Sequence, residues 1–362
     1  MSNMPSCLGH DIFEGVFAYD VQHYLDYLLN KEKLMTIDDY NTKLSRIKLS
    51  ERDAKNRPKN FKKISKNCKY EENAGSFRVL PRVLTTALSD VLEDSGTQNY
   101  FIKLHEVGEI ITAPSLTVYE IENTMTEIIT DYLDLRRDGI ETLEMSRPRP
   151  KHHFLSHYPR MFLNNGPLIK VWAMRMEQKH TFHKSVLRTA KNFKNVALTC
   201  ATRHQMAQIS FYYYGLFSSS KFEVPDDAPN VKDVLKVTSD SGLRRFYSSL
   251  QSDAVIPKKL KVFGTGYGIG KVLVLIKMCH GKLRIGVIKA IAFSSNEVNF
   301  SISVFEAHQS KFGNYVTTKF VSLDDTVNYS NLADYCPLEM IGTHKSFSFV
   351  LHHFITTGAH QE

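Results

Sequence analysis

Residues 218–230 read SSSKFEVPDDAPN, and the chain changes character across them. Ser, Pro and Asp crowd this stretch, so neither helical nor strand periodicity runs through it, and it reads as a linker. Upstream, apolar residues recur at helical spacing. Downstream, short β-rich runs alternate with turn signals. The expected class is therefore α+β: a mainly α-helical region over 1–217, a linker over 218–255, and a small β-rich, barrel-like module over 256–362.

The upstream pattern is specific. In 12–30, Phe13, Val16, Phe17, Tyr24, Leu25 and Leu28 fall close to helical spacing. Segments 76–93 and 98–111 read as helices, the first interrupted near Pro81 and the second ended before Pro114. Segment 115–138 opens at Ser115 and stops at Asp138-Gly139. From Ile169 to Tyr214 no Gly or Pro interrupts the helical pattern, which predicts one long helix. Downstream, the runs 271–278, 283–292, 297–305, 315–322 and 347–355 are rich in β-branched and aromatic residues. His280-Gly281 and Ser294-Ser295-Asn296 punctuate them, as expected for about five strands in a small sheet or barrel.

Composition excludes several classes. The chain has 362 residues, 42% hydrophobic and 23% charged, which suits a globular protein of two or three domains. No basic-then-apolar leader opens MSNMPSCLGHDIFEGV and no run approaches a membrane span, so an intracellular location without a membrane partner is expected. Cys7, Cys68, Cys200, Cys279 and Cys336 are odd in number, scattered and free of any CxxC pair, which argues against a disulfide framework. A net charge of +8 makes an acidic partner such as DNA reasonable, although a lysine excess also serves solubility.

Four features bear on chemistry. His153 and His157 stand four apart in KHHFLSHYP, the spacing that puts two imidazoles on one helix face. Two His are half a zinc shell; Cys7 and His10 are conceivable further ligands, and a structural or solvent-facing pair is the ordinary alternative. Glu177 sits among Arg175, Lys179, His180 and Lys184, suited either to a divalent ion beside phosphate or to a plain surface ion pair. Lys179, Lys184, Arg188, Lys191 and Lys194 form a basic series that tracks a phosphate backbone or simply faces water. Between Arg46 and Lys69, ten residues are basic and two acidic, with Lys59, Lys62 and Lys63 at the centre of a candidate mobile DNA-contacting loop. The glycines of Gly264-Thr265-Gly266-Tyr267-Gly268-Ile269-Gly270 precede strand-like residues rather than a helix, which rejects a nucleotide loop and leaves a flexible entry to the first strand.

Taken together, CLGHDIFEGV (7–16), RPKHHFLSHYP (149–159), GPLIKVWAMRMEQKHTFHK (166–184) and NFKNVALTCATRHQ (192–205) resemble the later half of CACTA/EnSpm-like transposases of the CMC superfamily. The resemblance spans roughly residues 5–217. It implies the helical part of an RNase H-like transposase core, whose three acids hold two divalent metals, Mg or Mn. By this likeness Glu177 corresponds to the last acid, and His153 with His157 to the histidine half of a Cys-x-x-Cys/His-x3-His site. The first two acids, the CxxC and the RNase H-like sheet would lie before residue 7. The expectation is therefore a transposase fragment, nuclear, incompetent for cleavage alone and binding DNA non-specifically. The rival expectation is a domesticated protein–protein interaction module. Without an upstream sheet, the apolar faces of 12–30 and 169–214 should stand uncovered and invite an oligomer or another partner.

Overall fold

The computed structural model describes residues 7–64, 72–92, 97–191, 194–213, 221–278, 281–343 and 346–356, with the side chains of 51, 52, 174–178, 343 and 346 left outside the description. It is a mixed α+β chain, helical first and strand-rich after residue 221.

A rod over 9–31 forms the centre of the helical body. Wide π-type turns at Gly9–Phe17 and Tyr27–Lys31 flank the α-helical Ala18–Asp26. Ile12, Phe13, Val16, Phe17, Val21, Tyr24, Leu25 and Leu28 are all buried. The helices Ala74–Ala87, Gln98–Ile111, Thr126–Thr142 and Pro150–Leu155 surround it in one hydrophobic cluster. The expected uncovered face on 12–30 is thus corrected, because later helices of the same chain cover it. Gly108 permits the approach of Gln98–Ile111: a Cβ there would lie 2.9 Å from the Phe17 ring. Helix Ala74–Ala87 also runs through Pro81 without interruption. Burial of Phe77, Leu80, Val83 and Leu84 outweighs the amide that proline lacks.

The single helix expected from Ile169 to Tyr214 is two helices, Met174–Ala190 and Val196–Tyr213, folded against each other as an arm. Lys191 adopts left-handed backbone at φ 48°, and the Asn195 side chain caps the second helix by accepting from the Leu198 amide at 3.1 Å. No residue of Val196–Tyr213 is buried, so the uncovered face expected within 169–214 is present on this arm.

The second half is a curled antiparallel sheet. Its strands are β4 (Val272–Lys277), β5 (Lys282–Ser294), β6 (Glu297–Gln309), β7 (Tyr315–Asn328), β8 (Asp334–Leu338), β9 (Ile341–Thr343) and β10 (Ser346–Phe349), in the order β8-β4-β5-β6-β7-β10-β9. Register shifts at Ile288/Ala290 and along β6–β7 curl the long strands. A smaller sheet of β1 (Phe222–Glu223), β2 (Lys259–Val262) and β3 (Thr265–Gly268) packs beside it. The glycine-rich stretch is therefore one arm of a β2–β3 hairpin rather than a flexible entry. Apolar residues of β5 are buried on both faces, against Tyr315 and Phe349 on one side and Leu260 and Tyr267 on the other.

The expected linker 218–255 is corrected as well. Helices Val231–Val237 and Ser241–Ser248 lie within it, and Val231, Phe246 and Tyr247 pack on Ala290 and Ala292 of β5. They belong to the sheet's own core. Segment 350–356 then returns to the helical body: the Phe354 amide donates to the Glu109 carbonyl at 3.0 Å, and Thr356 donates to Glu120 at 2.6 Å. Arg82 pairs with Asp53 at 3.0 Å and donates to His352 at 2.6 Å across the same seam.

Candidate nucleic-acid interface and histidine pair

Lys179, Lys184 and Arg188 are exposed on the first arm helix, and Lys191 and Lys194 are exposed at its tip. By helical spacing, positions 177, 184 and 188 share one line along this helix. Glu177 lies in the helix, but its side chain is outside the described residues. Phe182 meets His204 edge-on at 6.0 Å, and His183 lies 5.9 Å from the same ring, so aromatic contacts hold the two helices together. The second helix turns Leu198, Met206, Ile209, Phe211, Tyr212 and Tyr213 to solvent, Tyr213 at 80% exposure. A helix this apolar is ordinarily covered on one side.

Lys59, Lys62 and Lys63 are exposed as expected, on a segment separate from the arm. That segment is pinned rather than mobile over its described part. Phe61 and Ile64 are buried, and Asn41 clamps Phe61 by donating to its carbonyl at 2.8 Å and accepting from its amide at 2.9 Å. Asn30 donates to the Ile64 carbonyl at 2.8 Å. Arg57 is also committed, its guanidinium donating to the Leu44 and Ile47 carbonyls at 3.2 and 2.7 Å. Anchored apolar residues between the lysines hold them on the body's surface. The remainder of the basic run, 65–69, lies outside the described residues.

His153 and His157 are brought together, with Nε2 atoms 3.2 Å apart and rings edge-to-face at 4.8 Å. Two nitrogens bound to one tetrahedral zinc stand about 3.3 Å apart, given Zn–N distances of about 2.0–2.1 Å. The pair thus fits two corners of such a shell, and both rings are solvent-accessible. Among the described residues, no third His, Cys, Asp or Glu donor converges with them within 4.8 Å. Cys7 and His10, weighed as further ligands, do not complete the set.

Sequence reasoning missed a buried polar cluster that begins at His152, the residue next to His153. Asp20 accepts from Arg136 Nε at 3.1 Å, from His152 Nε2 at 3.1 Å and from the Tyr132 hydroxyl. His152 Nδ1 accepts from the Arg149 amide at 3.0 Å, so both ring nitrogens are engaged. Burial alone would raise the Asp20 carboxyl, but His152, Arg136 and Tyr132 hold it below the usual carboxylate range. Asp20, Tyr132 and Arg136 are fully enclosed, which makes this a tie across the helical body and leaves no room for a substrate. The YDVQH phrase around Asp20 carried no signal of it, because its partners lie 112 to 132 residues away.

A cavity of about 1020 Å³ opens where the β2–β3 hairpin meets the helical body. Lys55, Lys259, Lys261 and Lys271 line it with Glu223, and Cys336 and His352 reach it from the other side. Lys261 pairs with Glu223 at 2.8 Å, and Lys271 pairs with Glu339. No helix among the described residues is long and apolar enough to cross a membrane. No family model, curated protein or solved structure matches the chain.

Proposed function

We propose that this chain is part of a transposon-derived, transposase-like protein that binds DNA without sequence preference and does not cleave it unaided. The arm carries this reading. Exposed cations run along its first helix, while the apolar second helix is left for a covering surface. Such a split leaves one side of the arm to meet a phosphate backbone and the other to be covered by further protein. The phrases at 149–159, 166–184 and 192–205 that resemble CACTA/EnSpm-like transposases lie on or beside this arm.

Fluorescence anisotropy with a duplex of arbitrary sequence tests the binding. With about four phosphate contacts, affinity should fall about two orders of magnitude between 50 and 200 mM salt. Replacing Lys184, Arg188 and Lys191 together with alanine should flatten the salt slope by about 3. A flat titration at low salt, or an unchanged slope in the triple variant, rules the reading out. A single carboxylate at Glu177 cannot hold a two-metal site, so the protein in Mg²⁺ or Mn²⁺ should leave plasmid DNA intact. Nicking that disappears with Glu177→Ala would overturn that half of the proposal.

The exposed Leu198, Met206, Ile209 and Phe211 favour a second reading, in which the arm docks a protein partner. Pulldown after nuclease digestion separates the two. DNA-bridged partners disappear, whereas partners held by the apolar helix persist and are lost with Ile209→Glu.

A further inference from the structure

Asp334 and Cys336 are alternate residues of β8, so the strand's two-residue period turns both side chains to one face. His353 reaches that face from segment 350–356, after β10. The Asp334 carboxylate, the Cys336 sulfur and an imidazole nitrogen of His353 all lie within 4.8 Å of one another. Asp334 is 7% exposed and His353 8%. Among the described residues this is the one place where three such donors converge.

The carboxylate is only half used. Its Oδ1 accepts from the Cys336 amide at 3.0 Å and faces His353 Nε2 at 3.4 Å. Its Oδ2 is buried and accepts no hydrogen bond. The nearby cations are engaged elsewhere: Lys271 pairs with Glu339, and His352 with Arg82 and Asp53. Buried carboxylate oxygens are rarely left without a donor, and here the open oxygen lies beside a thiol and an imidazole that could ligate an ion with it.

We propose that Asp334, Cys336 and His353 bind a zinc ion whose fourth position opens toward the 1020 Å³ cavity. One carboxylate, one thiolate and one imidazole form a donor set that suits zinc, whereas magnesium and calcium prefer oxygen alone. Donors on tetrahedral zinc stand about 3.3–3.8 Å apart, a separation that small side-chain rotations reach from the present arrangement. On binding, zinc takes the place of the Cys336 thiol proton, which passes to solvent, and gives Asp334 Oδ2 its missing partner. Cys336 is half-buried and lines the cavity, so the open corner faces water and the lysines around it. Because the ion bridges β8 to segment 350–356, it also fastens the seam between the sheet and the helical body. The site is independent of the DNA-binding reading and distinct from the His153/His157 pair.

The full chain, freed of metal with a chelator, is titrated with Zn²⁺ against a chromophoric competitor and separately with Co²⁺. The expected result is a stoichiometric zinc that persists in the His153→Ala/His157→Ala double variant. In Cys336→Ser and His353→Ala it should weaken by more than the roughly 10–100-fold that loss of a supporting partner costs. Bound Co²⁺ should show thiolate charge-transfer absorption that Cys336→Ser abolishes, and zinc should raise the melting temperature of the parent chain and of the His153→Ala/His157→Ala variant but not that of Cys336→Ser. Cys336→Ser is close to isosteric at a half-buried position, so it decides the matter even if His353→Ala unfolds. No zinc uptake, uptake that follows His153 and His157, or a cobalt spectrum without the thiolate band would each overturn the proposal.

Discussion

Replacing Arg136 with methionine is expected to destabilise the chain by about 3–5 kcal/mol at neutral pH, a large share of a domain's total stability. The guanidinium is 0% exposed and does two things. Its Nε donates to Asp20 at 3.1 Å, and a terminal nitrogen donates to the Ser146 carbonyl at 2.7 Å. Methionine fills much of the volume but leaves a buried carboxylate without the guanidinium, the one partner in the cluster that is charged at every pH of interest. The pH dependence identifies the cause. In the parent chain the Asp20 pKa is depressed, so its contribution is present above the unfolded value of 3.8 and is lost as pH falls through the folded one. In the variant, burial is no longer opposed by Arg136 and the carboxyl rises. The stability gap should therefore be full at pH 7 and narrow as acid protonates Asp20. Urea denaturation of both chains across that range measures it. A loss under about 1 kcal/mol, or a gap that does not change with pH, would show that the cluster is dispensable.

The division of the chain was legible because it rests on local periodicity. The runs at 271–278, 283–292, 297–305 and 315–322 coincide with β4 to β7, where alternation and turn residues agree. The helices at 231–237 and 241–248 were hidden by their shortness, yet each carries a readable start. Asn230 accepts from the Lys232 amide at 3.0 Å, and Asp240 from the Leu243 amide at 2.8 Å. Asn195 gave the same kind of signal in the arm, whereas the left-handed turn at Lys191 has no cue in a lysine. The candidate DNA contacts were legible as charge, but which of them are pinned depended on Phe61 and Ile64 finding the core. The histidine pair was legible because its spacing is local. The Asp334–Cys336–His353 group was not: strand alternation pairs the first two, and only the tertiary return of 350–356 delivers the third. A search for CxxC pairs passes over a lone cysteine beside a carboxylate.

Glu109→Gln is expected to stabilise the chain, by an amount that grows as the pH rises from about 5 to 8. Glu109 lies on helix Gln98–Ile111 under the seam, 7% exposed, with His105 Nε2 at 3.8 Å and no donor to its Oε1. Burial, reinforced by Glu106 and opposed by Arg82 and Lys277, pushes its carboxyl up to about 8. A carboxyl raised on folding keeps its proton in the native chain while the unfolded chain releases it from about 4.5 upward. The folded state is then penalised progressively between those values, by on the order of 4–5 kcal/mol once the pH exceeds 8. Glutamine occupies the same space and cannot ionise, so the two chains should be about equally stable near pH 5 and diverge by several kcal/mol near pH 9. His105, lowered to about 3 by burial, titrates alike in both chains, whereas Lys277, lowered to about 8 by burial and held up in part by Glu109, moves further down in the variant and adds a smaller difference near pH 8. A difference that stays flat from pH 5 to 9 would mean that the buried carboxyl is ionised and paired in the native chain. A difference that grows with pH places a proton on Glu109, and the seam beneath segment 350–356 then loosens as the medium turns alkaline.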